Sequence, residues 1–280
     1  MRGGFSQNMS KIGKRVRAVL AAMFVTVFIV GAFMAIRTYN SYKADRAVYD
    51  GVADVYVFKP DPETRGDVFP GASDGDTVQG PDDGFVPDGP PITVDFEALQ
   101  AVAPDVQGWL YCEGTAINYP VVQGGDNDQY LRHDYIGNYA MAGSIFVEAA
   151  NSPGFVDSNT VIYGHHMKDG SMFAGLQDWA EQAYYDSHKN MWLLTPDGDY
   201  RVELFAGYIT PAGSDTYAVF QGPSEYFDEY LAGIPEKSDF EADPDITLDR
   251  DARYVVLSTC DYTYADARYV LHGKLVPVGP

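Results

Sequence analysis

The sequence predicts a mostly β domain with a few added helices, placed behind an N-terminal membrane anchor. Three observations support this prediction: an apolar run without charges near the N-terminus, a stretch rich in Pro, Gly and Asp after it, and short β-like runs between turn residues from residue 92 onward. Many short strands joined by Gly, Asp and Pro are typical of a barrel or a sandwich.

The composition excludes several classes of protein. The 280 residues contain 19 Lys and Arg against 40 Asp and Glu, so the formal net charge is −21. This length suits one sizeable domain with its own core, and the negative charge disfavours a nucleic-acid partner. The two cysteines, Cys112 and Cys260, are too few for a disulfide scaffold or a Cys/His zinc site.

The charges are separated along the chain. Residues 1–44 contain seven basic and no acidic side chains, and since the whole chain has −21, the remainder carries −28. Residues 18–36 are uncharged and long enough to cross about 30 Å of hydrocarbon. A cleavable signal peptide is the rival interpretation, but it has a shorter apolar region and a small-x-small site, which residues 32–35 lack. The basic residues at 11–17 predict that the tail, residues 1–17, is cytoplasmic and the rest extracellular.

The remaining chain divides into a linker and a folded domain. Residues 37–91 are predicted to form an extracellular stalk and linker, because their Pro/Gly/Asp-rich part has few apolar side chains to bury. The folded domain, residues 92–280, begins with a short helix that Asp95 caps and that stops near Pro104. An Asp-Gly turn in TPDGDY joins two later strands. Helical spacing predicts two further helices, over residues 172–182 and 223–234.

A candidate nucleophile lies at the end of a predicted strand. The run YVVLSTC, residues 254–260, is apolar until its last three residues, and a thiol at Cys260 can face a cleft. A lone Cys is more often a small buried hydrophobe, so this run alone is weak evidence. Arg268 opens the next strand. If the loop between them folds as a hairpin, Arg268 returns beside Cys260, where a guanidinium stabilises a thiolate or an oxyanion; the alternative is an ordinary surface arginine.

A second run, VIYGHHM, ends a strand at Gly164 and places His165 and His166 at its tip. A thiol nucleophile needs a partner that moves a proton near neutral pH, and His is the usual choice. Adjacent side chains on a strand point to opposite faces, so this pair is a poor zinc chelator. We therefore expect no metal, with one histidine facing a cleft while the other packs or is solvated.

The order of these runs is recognisable. DFEALQ precedes GWLYCEGTAINYPVVQGGDNDQYL, GSIFVEA, YGHHM with KDGSMF, and LSTC with ARYVLHGKL. Over residues 94–278 the chain resembles the sortases, membrane-anchored cysteine transpeptidases of Gram-positive bacteria, and among them class B. The resemblance implies a closed sortase-type β-barrel with an N-terminal helix and a helix inserted between late strands. One membrane span with an external domain agrees with sortase topology.

The resemblance also implies roles for individual residues. Cys260 matches the nucleophile, His165 the catalytic histidine and Arg268 the catalytic arginine, and no cofactor is expected. The substrate contacts that it implies lie in three parts of the chain: Asn118, Tyr217, Ser258 and Thr259.

The reaction implied by the resemblance is a transpeptidation. The Cys260 thiolate attacks the Thr carbonyl of a C-terminal sorting signal in a secreted protein, and an amine of cell-wall precursor or of a pilin subunit then takes the acyl group. The sequence leaves open whether the signal is Asn-Pro-x-Thr-x or Leu/Ser/Pro-Pro-x-Thr-Gly, and which amine accepts.

Other interpretations remain beside this one. A cell-wall cysteine hydrolase or an L,D-transpeptidase also uses Cys with His, although the Ser-x-Gly-Cys-x-Arg pattern of the latter is absent around Cys260. A non-catalytic surface adhesin would have Cys260 as a core thiol. Cys112 is expected in the core. Three histidines are expected to be structural or surface residues: His133, His188 and His272.

Overall fold

The computed structural model describes residues 3–59 and 89–279. The chain divides into two compact units, Met1–Ala44 and Asp45–Pro280. Most of the predicted linker, residues 60–88, lies outside the described residues. Among those described, one helical segment, Val19–Tyr56, contains a window that is long and apolar enough to cross a membrane, and that window is not buried. Its length and composition fit a membrane span or a signal sequence.

The described residues form four α-helices and ten strands, with short 3₁₀ turns between some of them. The α-helices are α1 Gly3–Tyr56, α2 Phe96–Val102, α3 Gln182–Ser187 and α4 Glu225–Ala232. The strands are β1 Val57–Phe58, β2 Thr93–Val94, β3 Val106–Tyr111, β4 Asn118–Val122, β5 Ile145–Val147, β6 Asn159–Tyr163, β7 Asn190–Leu194, β8 Tyr200–Pro211, β9 Arg253–Cys260 and β10 Ala267–Pro277.

Eight of these strands close into a barrel in the order β10-β8-β7-β3-β4-β5-β6-β9, and β9 pairs again with β10. The pairs β4–β5 and β6–β9 are parallel and the others are antiparallel. Closure satisfies the backbone hydrogen bonds of what would otherwise be edge strands. The closed barrel with added helices expected from the sequence is confirmed.

Part of the outer face of four barrel strands, β6, β8, β9 and β10, is covered by α4. Phe227 and Leu231 of this helix belong to one buried cluster with Val256 of β9 and Tyr208 of β8. Because successive strand residues point to opposite faces, the neighbours of Val256 point to the barrel interior. The helix covers only the N-terminal part of β9, so the polar end of that strand, after Leu257, is left beside a cleft.

Two of the three predicted helices are in place. The Asp95 carboxylate accepts a hydrogen bond from the Ala98 amide at 2.9 Å, and α2 ends at Val102. The helix predicted over residues 223–234 is α4, which lies in the connection between β8 and β9. Both have a side-chain N-cap and bury apolar side chains. The N-cap and the apolar face predict α2, whereas helical spacing alone predicts α4.

The helix predicted over residues 172–182 is wrong in its bounds and type. Met172 has φ +58° and pairs with His166 in an isolated β-bridge, and its amide donates to the Tyr119 hydroxyl at 3.0 Å. This long-range contact holds Met172 in the left-handed region, so a 3₁₀ helix over Ala174–Ala180 and then α3 follow instead.

The compact unit begins at Asp45, well before residue 92, where the sequence places the start of the domain. The Asp45 carboxylate accepts the Ala142 amide at 3.0 Å, and the Tyr49 hydroxyl donates to the Gly143 carbonyl. Both side chains are buried, at 8% and 4% exposure. The end of α1 therefore packs on the loop before β5.

We predict that His272 makes the stability of this unit depend on pH. This β10 side chain is buried and stacks on the Tyr208 ring, with Nε2 3.1 Å from the Tyr208 hydroxyl. Burial lowers the pKa of His272 to about 3, and the positive charge of Lys237 acts in the same direction. As the pH falls below about 6.5, His272 becomes protonated in the unfolded chain but stays neutral in the folded chain. This group therefore removes about 1.4 kcal/mol of stability per pH unit in that window.

The control for this prediction is His272→Gln, which is polar and does not titrate. Urea unfolding of residues 45–280 between pH 7 and pH 4 measures both proteins. The free energy of unfolding of the wild type should fall relative to that of the variant as the medium becomes more acid. A difference that stays constant across this range contradicts the prediction.

Candidate active site

Strand register brings His165, Cys260 and Arg268 into one row. β9 lies between β6 and β10, and Cys260 and Arg268 are direct cross-strand partners. On the other side, Tyr163 of β6 pairs in parallel with Ser258. His165 lies two residues after Tyr163, and Cys260 lies two residues after Ser258, so His165 and Cys260 occupy equivalent positions along the two segments. The hairpin expected between Cys260 and Arg268 is present.

The same three residues lie on the outer face of the barrel. The cluster under α4 takes one valine from each of the three strands: Val161, Val256 and Val270. Because side chains alternate along a strand, Cys260 and Arg268 lie on this face, each an even number of residues from the valine of its own strand. His165 lies an even number of residues after Val161, so its side chain is directed to the same face beyond the end of β6. The face is therefore apolar under α4 and carries reactive groups where the helix no longer covers it.

These groups line one cleft of about 270 Å³. His165, Cys260 and Arg268 lie in its wall together with Ser258 and Tyr217. The sequence analysis did not identify several other wall residues: Asn127, Asp128, Leu131, Phe146, Tyr163 and Ala212. Asn127, Asp128 and Leu131 belong to the quoted DNDQYL run, Phe146 to GSIFVEA and Tyr163 to YGHHM. These runs alone assign the residues no chemistry.

His165 is held through its ring. Nε2 lies 2.8 Å from the Leu131 carbonyl oxygen; because a carbonyl only accepts, Nε2 carries a hydrogen, and Nδ1 is left for proton exchange. Burial lowers the pKa of His165; the hydrogen bond to Leu131 opposes this shift, and the positive charge of Arg132 adds to it. A proton on this imidazole is therefore held weakly and is easily given up.

Gly164 allows His165 to reach this position. A Cβ at residue 164 would lie 2.5 Å from Ile145 Cδ1 and 2.6 Å from the Phe173 ring. Such contacts are too short for any side chain to fit without displacing the core around it. The glycine at the end of β6 is therefore required by close packing.

The second histidine has a different place. Nδ1 of His166 donates to the Cys260 carbonyl at 3.0 Å, and its ring packs against the Tyr262 ring at a centroid distance of 5.1 Å. His166 does not line the cleft. As expected, one histidine of the pair faces the cleft and the other packs.

A pair of hydroxyl groups lies beside the thiol. The Tyr217 and Ser258 hydroxyl oxygens are 2.8 Å apart, and the Tyr217 ring stacks on the Tyr163 ring. Burial raises the pKa of both tyrosines, and at Tyr163 the hydrogen bond to Glu148 and the charge of that carboxylate add to the rise. The positive charge of Arg268 opposes the rise at both. Arg268 therefore provides a positive field in the part of the cleft that contains Cys260.

Two of the expected substrate contacts are not in favourable positions. Asn118 is not in the cleft wall; its side-chain oxygen accepts from Trp109 Nε1 at 2.8 Å, and the residue borders a separate cavity beside Tyr49. Thr259 borders the cleft, but alternation directs its side chain to the face opposite that of Cys260. Its hydroxyl oxygen is buried and has no hydrogen-bond partner within the described part of the chain.

The two thiols differ in environment. Both are free, and Cys260 is half-buried while Cys112 is buried. Burial raises the pKa of Cys112 to about 12, and its sulfur lies 3.7 Å from the Asn190 carbonyl. The expectation that Cys112 is a core residue is confirmed.

Comparison with known proteins decides the family. The family model described as "Sortase domain" matches residues 110–276. The chain belongs to the sortase family. It is 38% identical over 183 residues to sortase B of Listeria monocytogenes, which covers 64% of this chain and 72% of the relative.

Solved structures agree. A Staphylococcus aureus sortase B–substrate complex is 31% identical, with a TM-score of 0.61, and the match covers 66% of this chain and 85% of that one. A sortase B complexed with Gly3 is 32% identical, with a TM-score of 0.60, and the match covers 66% of this chain and 86% of that one. These relatives place the chain in class B. Sortases are cysteine transpeptidases, so the chain is an enzyme of this type, and the adhesin and L,D-transpeptidase interpretations are rejected.

We predict that only one thiol reacts in the native protein. A methanethiosulfonate reagent at pH 8 should label Cys260, while Cys112 should react at least about 100-fold more slowly, because a raised pKa leaves little thiolate. Mass spectrometry counts the adducts. Cys260→Ala should take up no label until it is denatured, and rapid native labelling of that variant would contradict the assignment.

Proposed function

We propose that this sortase cleaves a C-terminal sorting signal after its Thr residue and joins the Thr carbonyl to an amine. The observation that carries this proposal is the row of His165, Cys260 and Arg268 on neighbouring strands at one cleft. The two related sortase B structures, one with substrate and one with Gly3, support a peptide and an amine as the two ligands.

The first half of the reaction forms an acyl-enzyme. The Cys260 thiolate attacks the Thr carbonyl carbon, a C–S bond forms, and the carbonyl oxygen becomes an oxyanion. Arg268 is the direct cross-strand partner of Cys260, so its guanidinium is placed to stabilise both the thiolate and the oxyanion. When the intermediate collapses, the peptide C–N bond breaks and a thioester remains.

Proton transfer is assigned to His165. As an imidazolium, His165 protonates the leaving amine. As a neutral ring, it then takes a proton from the incoming amine, and this amine attacks the thioester and releases the Cys260 thiolate. The lowered pKa of His165 favours release of the proton in the first step. One peptide bond replaces another, so the exchange needs no ATP.

The cleft walls support the substrate assignment, and the related sortase B complexed with Gly3 supports an amine acceptor. Leu131 and Phe146 provide an apolar wall, and the Tyr217–Ser258 hydroxyl pair a polar one, beside the thiol. We assign the acceptor to an amine of cell-wall precursor or of a pilin subunit. The apolar part of α1 anchors the enzyme, with the basic N-terminal tail in the cytoplasm and the catalytic domain outside the cell.

The proposal is tested with sorting peptides and amines. Peptides of the Asn-Pro-x-Thr-x and Leu/Ser/Pro-Pro-x-Thr-Gly types are incubated with the enzyme and triglycine, and mass spectrometry detects the joined product. We expect cleavage after Thr in the wild type and none in Cys260→Ala. Tyr226→Phe, an exposed α4 position outside the cleft, is the matched control and should be unchanged. Cleavage by Cys260→Ala at the wild-type rate would refute the assignment of the nucleophile.

A second prediction separates Arg268 from the nucleophile. Arg268→Gln should lower kcat/KM by about 10²–10³-fold, because one charged donor to the oxyanion is lost. Arg268→Lys should be intermediate, since it keeps the charge but loses the planar fork. Methanethiosulfonate labelling shows that Cys260 is still accessible. Unchanged kcat/KM in Arg268→Gln would remove Arg268 from the mechanism.

A further inference from the structure

The acceptor that holds His165 is a backbone carbonyl, at Leu131. This carbonyl belongs to the last residue of a 3₁₀ turn, Gln129–Leu131, in the long connection between β4 and β5. It is therefore not fixed by barrel pairing. Its position depends on whatever packs against that turn.

Gly143 packs directly against it. A Cβ at residue 143 would lie 2.6 Å from the Leu131 carbonyl oxygen and 2.6 Å from that of Tyr130. The residue also has φ +57°, a conformation that glycine adopts without strain. The next amide, of Ser144, donates to the Tyr130 carbonyl at 2.9 Å. The turn 142–144 thus lies against both carbonyls.

The end of α1 holds this turn from the other side. The Asp45 carboxylate accepts the Ala142 amide at 3.0 Å. The Tyr49 hydroxyl donates to the Gly143 carbonyl and lies 3.2 Å from the Ser144 hydroxyl. A continuous set of contacts therefore runs from the buried side chains of α1 through the turn to the acceptor of His165.

We propose that Gly143 is a positioning residue for His165, and that Tyr49 and Asp45 act through it by holding the turn 142–144 against the Leu131 carbonyl. This inference rests on the proposed role of His165 in proton transfer.

Several titratable groups surround His165. They are Arg132, next to Leu131, and the groups that line the cleft: Asp128, Tyr163, Tyr217, Cys260 and Arg268. None of them belongs to the turn 142–144 or to α1, but Arg132 Nη1 donates to the Met141 carbonyl, next to the turn, at 3.0 Å. A shift of Arg132 away from His165 would raise the pKa of His165, whereas loss of the Leu131 hydrogen bond lowers it. A fall in this pKa on substitution of Gly143 or Tyr49 therefore identifies the Leu131 hydrogen bond as the cause. Loss of that bond removes an interaction that raises the pKa, so the pKa should fall.

The test compares Gly143→Ala with Gly137→Ala in the full chain in detergent micelles. Gly137 also has a positive φ, +87°, but no atom lies within 4 Å of an added Cβ. Both variants share the backbone strain, and only the first displaces Leu131. We expect kcat for peptide transfer to fall by about 10–100-fold in Gly143→Ala with KM nearly unchanged, because small misplacements of a reacting group are costly. Gly137→Ala should resemble the wild type.

A direct measurement accompanies the kinetics. NMR titration of ¹⁵N-histidine, with the signal assigned by His165→Gln, should give a lower pKa for His165 in Gly143→Ala than in Gly137→Ala. Tyr49→Phe, which keeps the ring and loses only the hydroxyl, should show a smaller change in the same direction, while Tyr226→Phe shows none. If Gly143→Ala does not fold, the His165 pKa of Tyr49→Phe is compared with that of Tyr226→Phe instead.

Equal kcat and equal His165 pKa in the two glycine variants, or in the two tyrosine variants if Gly143→Ala does not fold, would overturn the inference. The two proposals fail separately, because the NMR titration needs no turnover. A wild-type enzyme that transfers no peptide refutes the proposed function, whereas the pKa comparison still decides whether the turn positions His165.

Discussion

The register of β9 between β6 and β10 is the constraint on which the candidate site depends. Cys260 faces Arg268 across one ladder and follows Ser258, the partner of Tyr163, in the other. A slip of one residue in either ladder would turn a reactive side chain to the other face of the barrel. Barrel closure and the apolar cluster under α4 oppose such a slip, because it would also turn the valines packed under α4 into the barrel interior and bring interior side chains under the helix.

The electrostatics of the site are mixed within a chain of net charge −21. At Tyr217, beside Cys260, the positive charge of Arg268 opposes the rise in pKa that burial causes. At Tyr163 the Glu148 carboxylate raises the pKa more than Arg268 lowers it. The acid next to the thiol, Asp261, is buried, and its carboxylate accepts the Thr263 amide of its own loop at 2.7 Å. A positive field therefore coexists with an acidic surface, since burial and local hydrogen bonds confine each charge to its own surroundings.

The sequence predicts those parts of the site that lie at strand ends. Cys260 and Arg268 can be identified because apolar runs define their strands and a short loop joins them. Leu131 cannot be identified in this way, since it acts through a carbonyl that every residue has. Asn118 lies outside the cleft wall and accepts a hydrogen bond from its indole partner on β3, a contact that becomes visible only once the strands are paired. The helix predicted from residue 172 failed for a similar reason, because the Tyr119 hydroxyl holds Met172 in a left-handed conformation.

The three reactive groups are consequently held in different ways. Cys260 and Arg268 lie within strands, so many backbone hydrogen bonds between paired strands position them. His165 lies beyond the end of β6, and its ring is oriented by one carbonyl of a loop. That loop is supported by side chains more than ninety residues earlier in the sequence. In the proposed mechanism, proton transfer is therefore the step that depends most on packing outside the barrel, whereas nucleophilic attack depends on the barrel itself.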